Sequence, residues 1–191
     1  MARSSASARV SGRFLLRIEP GLHARLQAAA RALGLSLNEF CGRRLGVPGP
    51  AVLMHPGAGA AVERALAQFG EALDGLIVYG SFARGDATDQ SDVDLLVVVD
   101  PAVGLTRALY REWDARPITW AGRHVDPHFT HIPRDRRTAP GSWCEAAIDG
   151  VVLWERAGIV TRQLAAVRGD IAAGRLVKRT AHGQPYWTVA A

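Results

Sequence analysis

Two aspartates spaced two apart, Asp92 and Asp94, head the most apolar run of the chain, Leu95 to Val99. Five consecutive aliphatic residues closed by Asp100 read as a buried β-strand. Period two sets both carboxylates on one face, about 7 Å apart along the chain. Like charges on one side of a buried strand repel, so the pair makes sense where cations neutralise it. All-oxygen ligands of this kind suit Mg²⁺ or Mn²⁺, ions that also bind substrate phosphates. Upstream, Gly75 to Tyr79 reads as a short strand that hands over to a helical turn at Gly80 and Ser81. Such a point presents backbone N–H groups, and a glycine lets a phosphate approach closely. Two metal ions beside a phosphate cradle can activate an attacking oxygen and stabilise departing pyrophosphate in an in-line displacement.

Gly80-Ser81, ten intervening residues, Asp92-Val93-Asp94 and the apolar strand that follows together resemble the signature of the minimal nucleotidyltransferases of the polymerase-β superfamily. The resemblance implies Mg²⁺- or Mn²⁺-dependent transfer of a nucleoside monophosphate from an NTP to an acceptor. Asp92 and Asp94 would bind metal, and Gly80 and Ser81 would hold the triphosphate. The superfamily carries a third carboxylate on a neighbouring strand. Arg123 to Ile132 (Arg-His-Val-Asp-Pro-His-Phe-Thr-His-Ile) is the candidate strand. Asp126 is its candidate acid, placed to activate the acceptor hydroxyl and share a metal. Pro127 cannot donate to a ladder, so this strand should lie at an edge or be interrupted. His124, Asp126 and His128 share a face and also read as a separate transition-metal site. Arg84 reads as a triphosphate contact or as an exposed turn residue. Trp113 and Trp120 read as core or as base-stacking surfaces.

The flanking periodicities fill out this domain, expected over residues 58–191. Ala58 to Leu73, Gly104 to Ala115, Ser142 to Ile148 and Ile159 to Ala173 read as helices, and Val151 to Trp154 as a strand. Arg175 to Thr180 and Pro185 to Val189 pair as a hairpin around His182-Gly183-Gln184. Lys178, Arg179 and His182 fit a solvated face better than an acceptor channel. The fold expected is α/β (α+β), a small mixed sheet flanked by helices.

A different module precedes it. Residues 1–50 hold eight Arg against Glu19 and Glu39, a net of +6, whereas residues 51–150 carry a net of −5. The basic part suits polyanions. Met1 to Ser11 reads as a disordered basic tail, without the apolar core of a secretory signal. Gly12 to Glu19 alternates as a strand, with Phe14, Leu16 and Ile18 on one face and Arg13, Leu15 and Arg17 on the other. Pro20 opens a helix with an apolar stripe of Leu22, Leu26, Ala29, Ala30 and Leu33, and Gly34 stops it. Ser36 and Glu39 form a capping box that starts a second helix. Gly46 to Pro50 punctuate its end, with a linker expected over residues 47–57.

One strand and two short helices bury little apolar surface alone, so dimerisation is the remedy. The stretch GRFLLRIEPGLHARLQAAARALGLSLNEFCGRRL resembles the ribbon-helix-helix family of DNA-binding domains. That resemblance, over residues 12–46, implies a homodimer whose two-stranded ribbon enters a major groove. Arg13, Leu15 and Arg17 would face operator bases, and the start of the second helix, near Ser36 and Asn38, would hold phosphate.

With 48% apolar and 21% charged residues the chain can bury a core. No run spans a bilayer, and two distant cysteines fit no disulfide or metal spacing. The expectation is therefore a cytoplasmic enzyme without membrane contact. The nucleotidyltransferase resemblance further suggests a toxin–antitoxin setting, with a partner protein or a tRNA as acceptor and the N-terminal arm repressing its own operon. The alternative is a DNA-binding regulator whose second domain only senses nucleotide. An enzyme that modifies a small molecule such as an antibiotic ranks last, because the chain leaves little room for a dedicated acceptor domain.

Overall fold

The computed structural model describes residues 15–46, 49–135 and 141–190. Leu95 to Val99 lies within β2 (Val93–Val99), the middle of a five-stranded sheet. The other strands are β1 (Leu73–Tyr79), β3 (Thr119–Trp120), β4 (Arg123–Thr130) and β5 (Val151–Glu155), in the order β3-β4-β2-β1-β5. β1 runs antiparallel to both β2 and β5, while β2 and β4 are parallel. A parallel pair needs a crossover, and α6 (Arg107–Asp114) supplies it. β3 pairs with β4 only at Thr119↔His124 and Trp120↔Arg123. At Pro127, opposite Leu95, β4 is therefore an edge on its outer side, as a residue without an N–H requires.

Alternation sorts β2 between two cores. Val93, Leu95, Val97 and Val99 join Leu76 and Val78 against α4 (Pro56–Phe69), Trp113 and Trp120. Leu96 and Val98 join Ile77 against α7 (Gly141–Asp149) and α8 (Ile159–Ala172). Trp113 and Trp120 are fully buried, so both belong to the core. The C-terminal hairpin forms from β6 (Leu176–Ala181) and β7 (Gln184–Val189). Glu145 of α7 holds it, pairing with Lys178 at 2.6 Å and accepting from Trp187 Nε1 at 2.8 Å. Among the described residues, no helix is long and apolar enough to cross a membrane.

The N-terminal helices follow the sequence closely. α1 (Pro20–Ala32) starts at its proline and ends in a Schellman turn. Gly34, at φ +69°, donates to Arg31 O, and Leu35 donates to Ala30 O. Ser36 Oγ accepts from Glu39 N–H at 3.1 Å and caps α2 (Leu37–Gly46). The apolar stripe does not stand alone. Ala30 and Phe40 are buried, and Leu33 packs with Ile148 and Ile171 of α7 and α8. A cavity of about 140 Å³ beside Phe40 is lined also by Leu33, Leu35, Arg84, Glu145 and Lys178.

Two features differ from the sequence reading. The expected linker, 47–57, contains α3 (Gly49–Met54) and the start of α4, because Val52 is buried in the sheet's first core. Of the strand expected over Gly12 to Glu19, residues 15–19 carry no ladder. A strand needs a neighbour to bond with, and the expected ribbon would take its second strand from another copy. Residues 1–14 of the tail and strand, Arg13 included, lie outside the described residues.

Candidate active site

The sheet register builds the site. Asp94 is opposite Tyr79 on β1 and Asp126 on β4, so the three residues form one row across three strands. Their side chains share the face that Leu96 and His128 continue. Asp94 is half-buried, while Asp126, His124 and His128 line the exposed side of β4. Asp92 is exposed and stands one residue ahead of β2.

β1 ends at Tyr79, and Gly80, at φ +75°, turns the chain into α5 (Gly80–Arg84). A Cβ built on Gly80 would lie 2.1 Å from Asp94 Oδ2 and 3.1 Å from its Cγ. The glycine thus serves two needs: a left-handed backbone, and room for the carboxylate against the loop. Gly85, at φ +79°, ends α5, and Asp86 N–H bonds back to Ser81 O at 3.1 Å. Ser81 is half-buried beside this turn.

Burial is the main cause that raises the Asp94 pKa, with Asp126 and then Asp92 adding to it. Arg84 and His128 pull the other way. The Tyr79 phenol is pushed well above its ordinary range by burial, then by Asp94 and Asp126, so it stays protonated. Arg84 is not free. Its Nε donates to Asp86 Oδ2 at 3.1 Å, and its Nη1 lies 3.6 Å from Asp149 Oδ2 at the end of α7. Burial works against its charge, but Asp86, Asp149 and Glu145 outweigh it and raise the pKa.

Among the described residues, no group of three or more His, Cys, Asp or Glu side chains is gathered closely enough to hold a metal ion. This lends nothing to a transition-metal site at His124, Asp126 and His128. It also means that Asp92, Asp94 and Asp126 are not drawn into a closed ligand set. The donor chemistry nevertheless fits a hard cation: carboxylates raise the pKa of Asp94, and a cation between them would relieve that repulsion.

The structure therefore brings Gly80, Asp94 and Asp126 together, with Asp92 close enough for its charge to be felt at Asp94. Leu15 and Arg17 are exposed on the extended segment, as are Ser36 and Asn38 at the start of α2. Lys178 is tied to Glu145, while Arg179 and His182 are solvent-exposed. Sequence reasoning passed over Tyr79 and Arg123. Tyr79 gave a signal as the strand's last residue before Gly80. Arg123 gave none, because its hydrogen-bond partners are backbone carbonyls more than thirty residues away.

Two families match parts of the chain. Residues 61–133 match the nucleotidyltransferase domain, and residues 3–45 match the HicB family. No curated protein matches the chain. Similar solved structures include a toxin–antitoxin crystallised with AMP-PNP, at 18% identity and TM-score 0.38, covering 56% of this chain and 82% of that one. A mutant of the toxin–antitoxin MntA–HpeT is similar at 16% identity and TM-score 0.40, covering 58% and 83%.

Proposed function

We propose, for a chain whose residues 61–133 match the nucleotidyltransferase domain, that it transfers a nucleoside monophosphate from an NTP to a protein or RNA acceptor. The carrying observation is the contact between the Asp94 carboxylate and the position of Gly80, with Asp126 in register beside Asp94. A triphosphate held at Gly80 and Ser81 would meet the acids that must manage its charge.

Asp92, Asp94 and Asp126 would hold Mg²⁺ or Mn²⁺, which when bound neutralises the carboxylates and the triphosphate and eases departure of pyrophosphate. Asp126 is the most exposed of the row and faces an incoming acceptor. It takes the proton of the acceptor hydroxyl as that oxygen attacks the α-phosphorus. The new O–P bond forms as the bond between the α-phosphorus and the bridging oxygen breaks, and pyrophosphate leaves with that bonding pair. Tyr79, protonated beside Asp94, adds no charge to the row. Arg84, oriented by Asp86 and Asp149, would add positive potential beside the triphosphate.

The N-terminal module is the proposed operator-binding and dimerisation arm. The exposed extended segment with Leu15, Leu16 and Arg17 supports a strand that awaits a partner. The nucleotidyltransferase resemblance suggests a cytoplasmic toxin–antitoxin module as the setting.

The test is to incubate the purified full chain with Mg²⁺, each α-labelled NTP, and either lysate protein or tRNA. Label should enter one acceptor class, and Asp94→Asn and Asp126→Asn should abolish it. Label transfer by neither the wild type with Mg²⁺ nor with Mn²⁺ would leave the nucleotide-sensing regulator as the better account.

A further inference from the structure

Asp92 and Asp94 are held in different ways. Asp94 is fixed on both sides, by its register with Tyr79 and with Asp126. Asp92 has neither support: pairing with β4 begins at Val93↔Val125, and pairing with β1 reaches only Asp94. Its place depends on the turn before it. There Thr88 and Ser91 close on each other, with Ser91 N–H donating to Thr88 O at 3.0 Å and Thr88 N–H donating to Ser91 Oγ at 3.0 Å.

One side chain grips this turn from outside. Nη1 of Arg123 donates to Thr88 O and, at 3.2 Å, to Ser91 O, while Nη2 lies 3.8 Å from Asp89 Oδ1. The Ser91 carbonyl belongs to the peptide that joins Ser91 to Asp92. Arg123 in turn begins β4, three residues ahead of Asp126. Its departure point is set by a tight hairpin turn in which Ala121, at φ +52°, precedes Gly122, at φ +77°. A left-handed alanine is uncommon, and it persists where the surroundings over-determine it.

We propose that Arg123 is a positioning residue for Asp92. It ties the backbone in front of Asp92 to the strand that carries Asp126, so one side chain sets Asp92 against a strand that the ladder already fixes beside Asp94. A guanidinium suits the task because its planar donors can serve two carbonyls and a carboxylate together, which the point charge of a lysine cannot. The functional part of this inference rests on the nucleotidyl-transfer reading; the hold on the turn does not.

The experiment uses the full chain as wild type, Arg123→Ala, Arg123→Lys and Asp92→Asn, with the double variant of Arg123→Ala and Asp92→Asn. Thermal melting checks folding, and Arg123→Lys serves where Arg123→Ala melts early. Amide hydrogen exchange over residues 88–93 should speed up in both Arg123 variants while β2 stays protected. Mn²⁺ alone, followed by electron paramagnetic resonance, should bind more weakly to them. kcat should fall by about 10- to 100-fold, with KM for the NTP little changed. Added guanidinium should restore part of the activity of Arg123→Ala, and this substitution should cost nothing further in the Asp92→Asn background. Unchanged exchange in the turn, wild-type kcat in Arg123→Ala, or an equal further loss in the Asp92→Asn background would each overturn the proposal. A wild type that transfers no label would instead refute the nucleotidyl-transfer reading, and turn exchange and Mn²⁺ binding would still judge Arg123.

Discussion

The carboxylate of Asp94 fills the space in which any side chain at Gly80 would have to stand, with Oδ2 only 2.1 Å from the position of a Cβ. Residues from the end of β1 and the start of β2 thus share one small volume. The antiparallel pairing of these strands brings them there, because Tyr79, just before Gly80, is in register with Asp94. The acid and the loop proposed to hold phosphate are therefore one unit, assembled by the ladder.

Gly80→Ala tests that unit. The new methyl group must displace Asp94, and the backbone at φ +75° is one that L side chains rarely adopt. The left-handed conformation alone costs about 1–2 kcal/mol. Because a misplacement of about 1 Å can cost on the order of a hundredfold in rate, kcat should fall by about that factor or more. Steady-state transfer assays and thermal melting check both effects; an alanine variant with wild-type kcat would refute the close coupling.

Asp94→Asn should separate stability from chemistry. Burial, then Asp126 and Asp92, raise the Asp94 pKa above the ordinary carboxylate range. The native state therefore keeps this proton to higher pH than the unfolded chain does. Asp94 thus lowers stability as pH climbs from the ordinary carboxylate range through the raised value, and the loss persists above it. Asparagine keeps the shape and removes the charge. Metal-free unfolding curves of wild type and variant should coincide at low pH and diverge across that window, with the variant more stable at pH 7 and inactive. A variant that melts below the wild type at pH 7 would contradict the strain assigned to Asp94.

The strands around the site were legible because their signals are local. Leu95 to Val99 announced a buried strand, Gly80-Ser81 a turn, and Pro127 an edge, and each is where its chemistry requires. What stayed hidden depends on contacts distant in sequence. Val52 draws residues 49–54 into a helix on the sheet, inside a stretch whose prolines and glycines read as linker. Arg123 reaches back more than thirty residues to carbonyls, which carry no side-chain signature. Arg84 had two readings from sequence, and only the placement of α7 shows Asp149 beside it.

The DNA-binding proposal is better tested by a surface change than by removing the arm. α1 packs against α8, and Phe40 and Ala30 are buried, so deleting residues 1–46 would uncover part of the core around Ile148 and Ile171. Arg17 is exposed, so Arg17→Ala should leave melting within about 0.5 kcal/mol of wild type. Affinity for DNA from upstream of its own gene, read by fluorescence anisotropy, should fall. If Arg17 meets a phosphate, the slope of log affinity against log salt should shrink by about 1 per subunit; if it reads a base, sequence preference should relax instead. Unchanged affinity and slope would remove Arg17 from the interface.

Glu145 makes the last test, because one oxygen holds the hairpin twice. Its Oε1 pairs with Lys178 Nζ at 2.6 Å and accepts from Trp187 Nε1 at 2.8 Å, and Lys178 also lies 5.8 Å from the Trp187 ring centroid. The side chains of Lys178 and Glu145 are 28% and 29% exposed, so solvent screens the pair only in part. Glu145→Ala strands the indole N–H and the ammonium together, for an expected loss of about 1–3 kcal/mol. Glu145→Gln keeps an acceptor for Trp187 but loses the ion pair, and should fall between. Hydrogen exchange across β6 and β7 should rise in that order, and tryptophan emission should shift to the red as Trp187 gains solvent. Equal protection of the hairpin in all three proteins would mean that Trp187, packed against the core of α7 and α8, holds it by apolar contact alone.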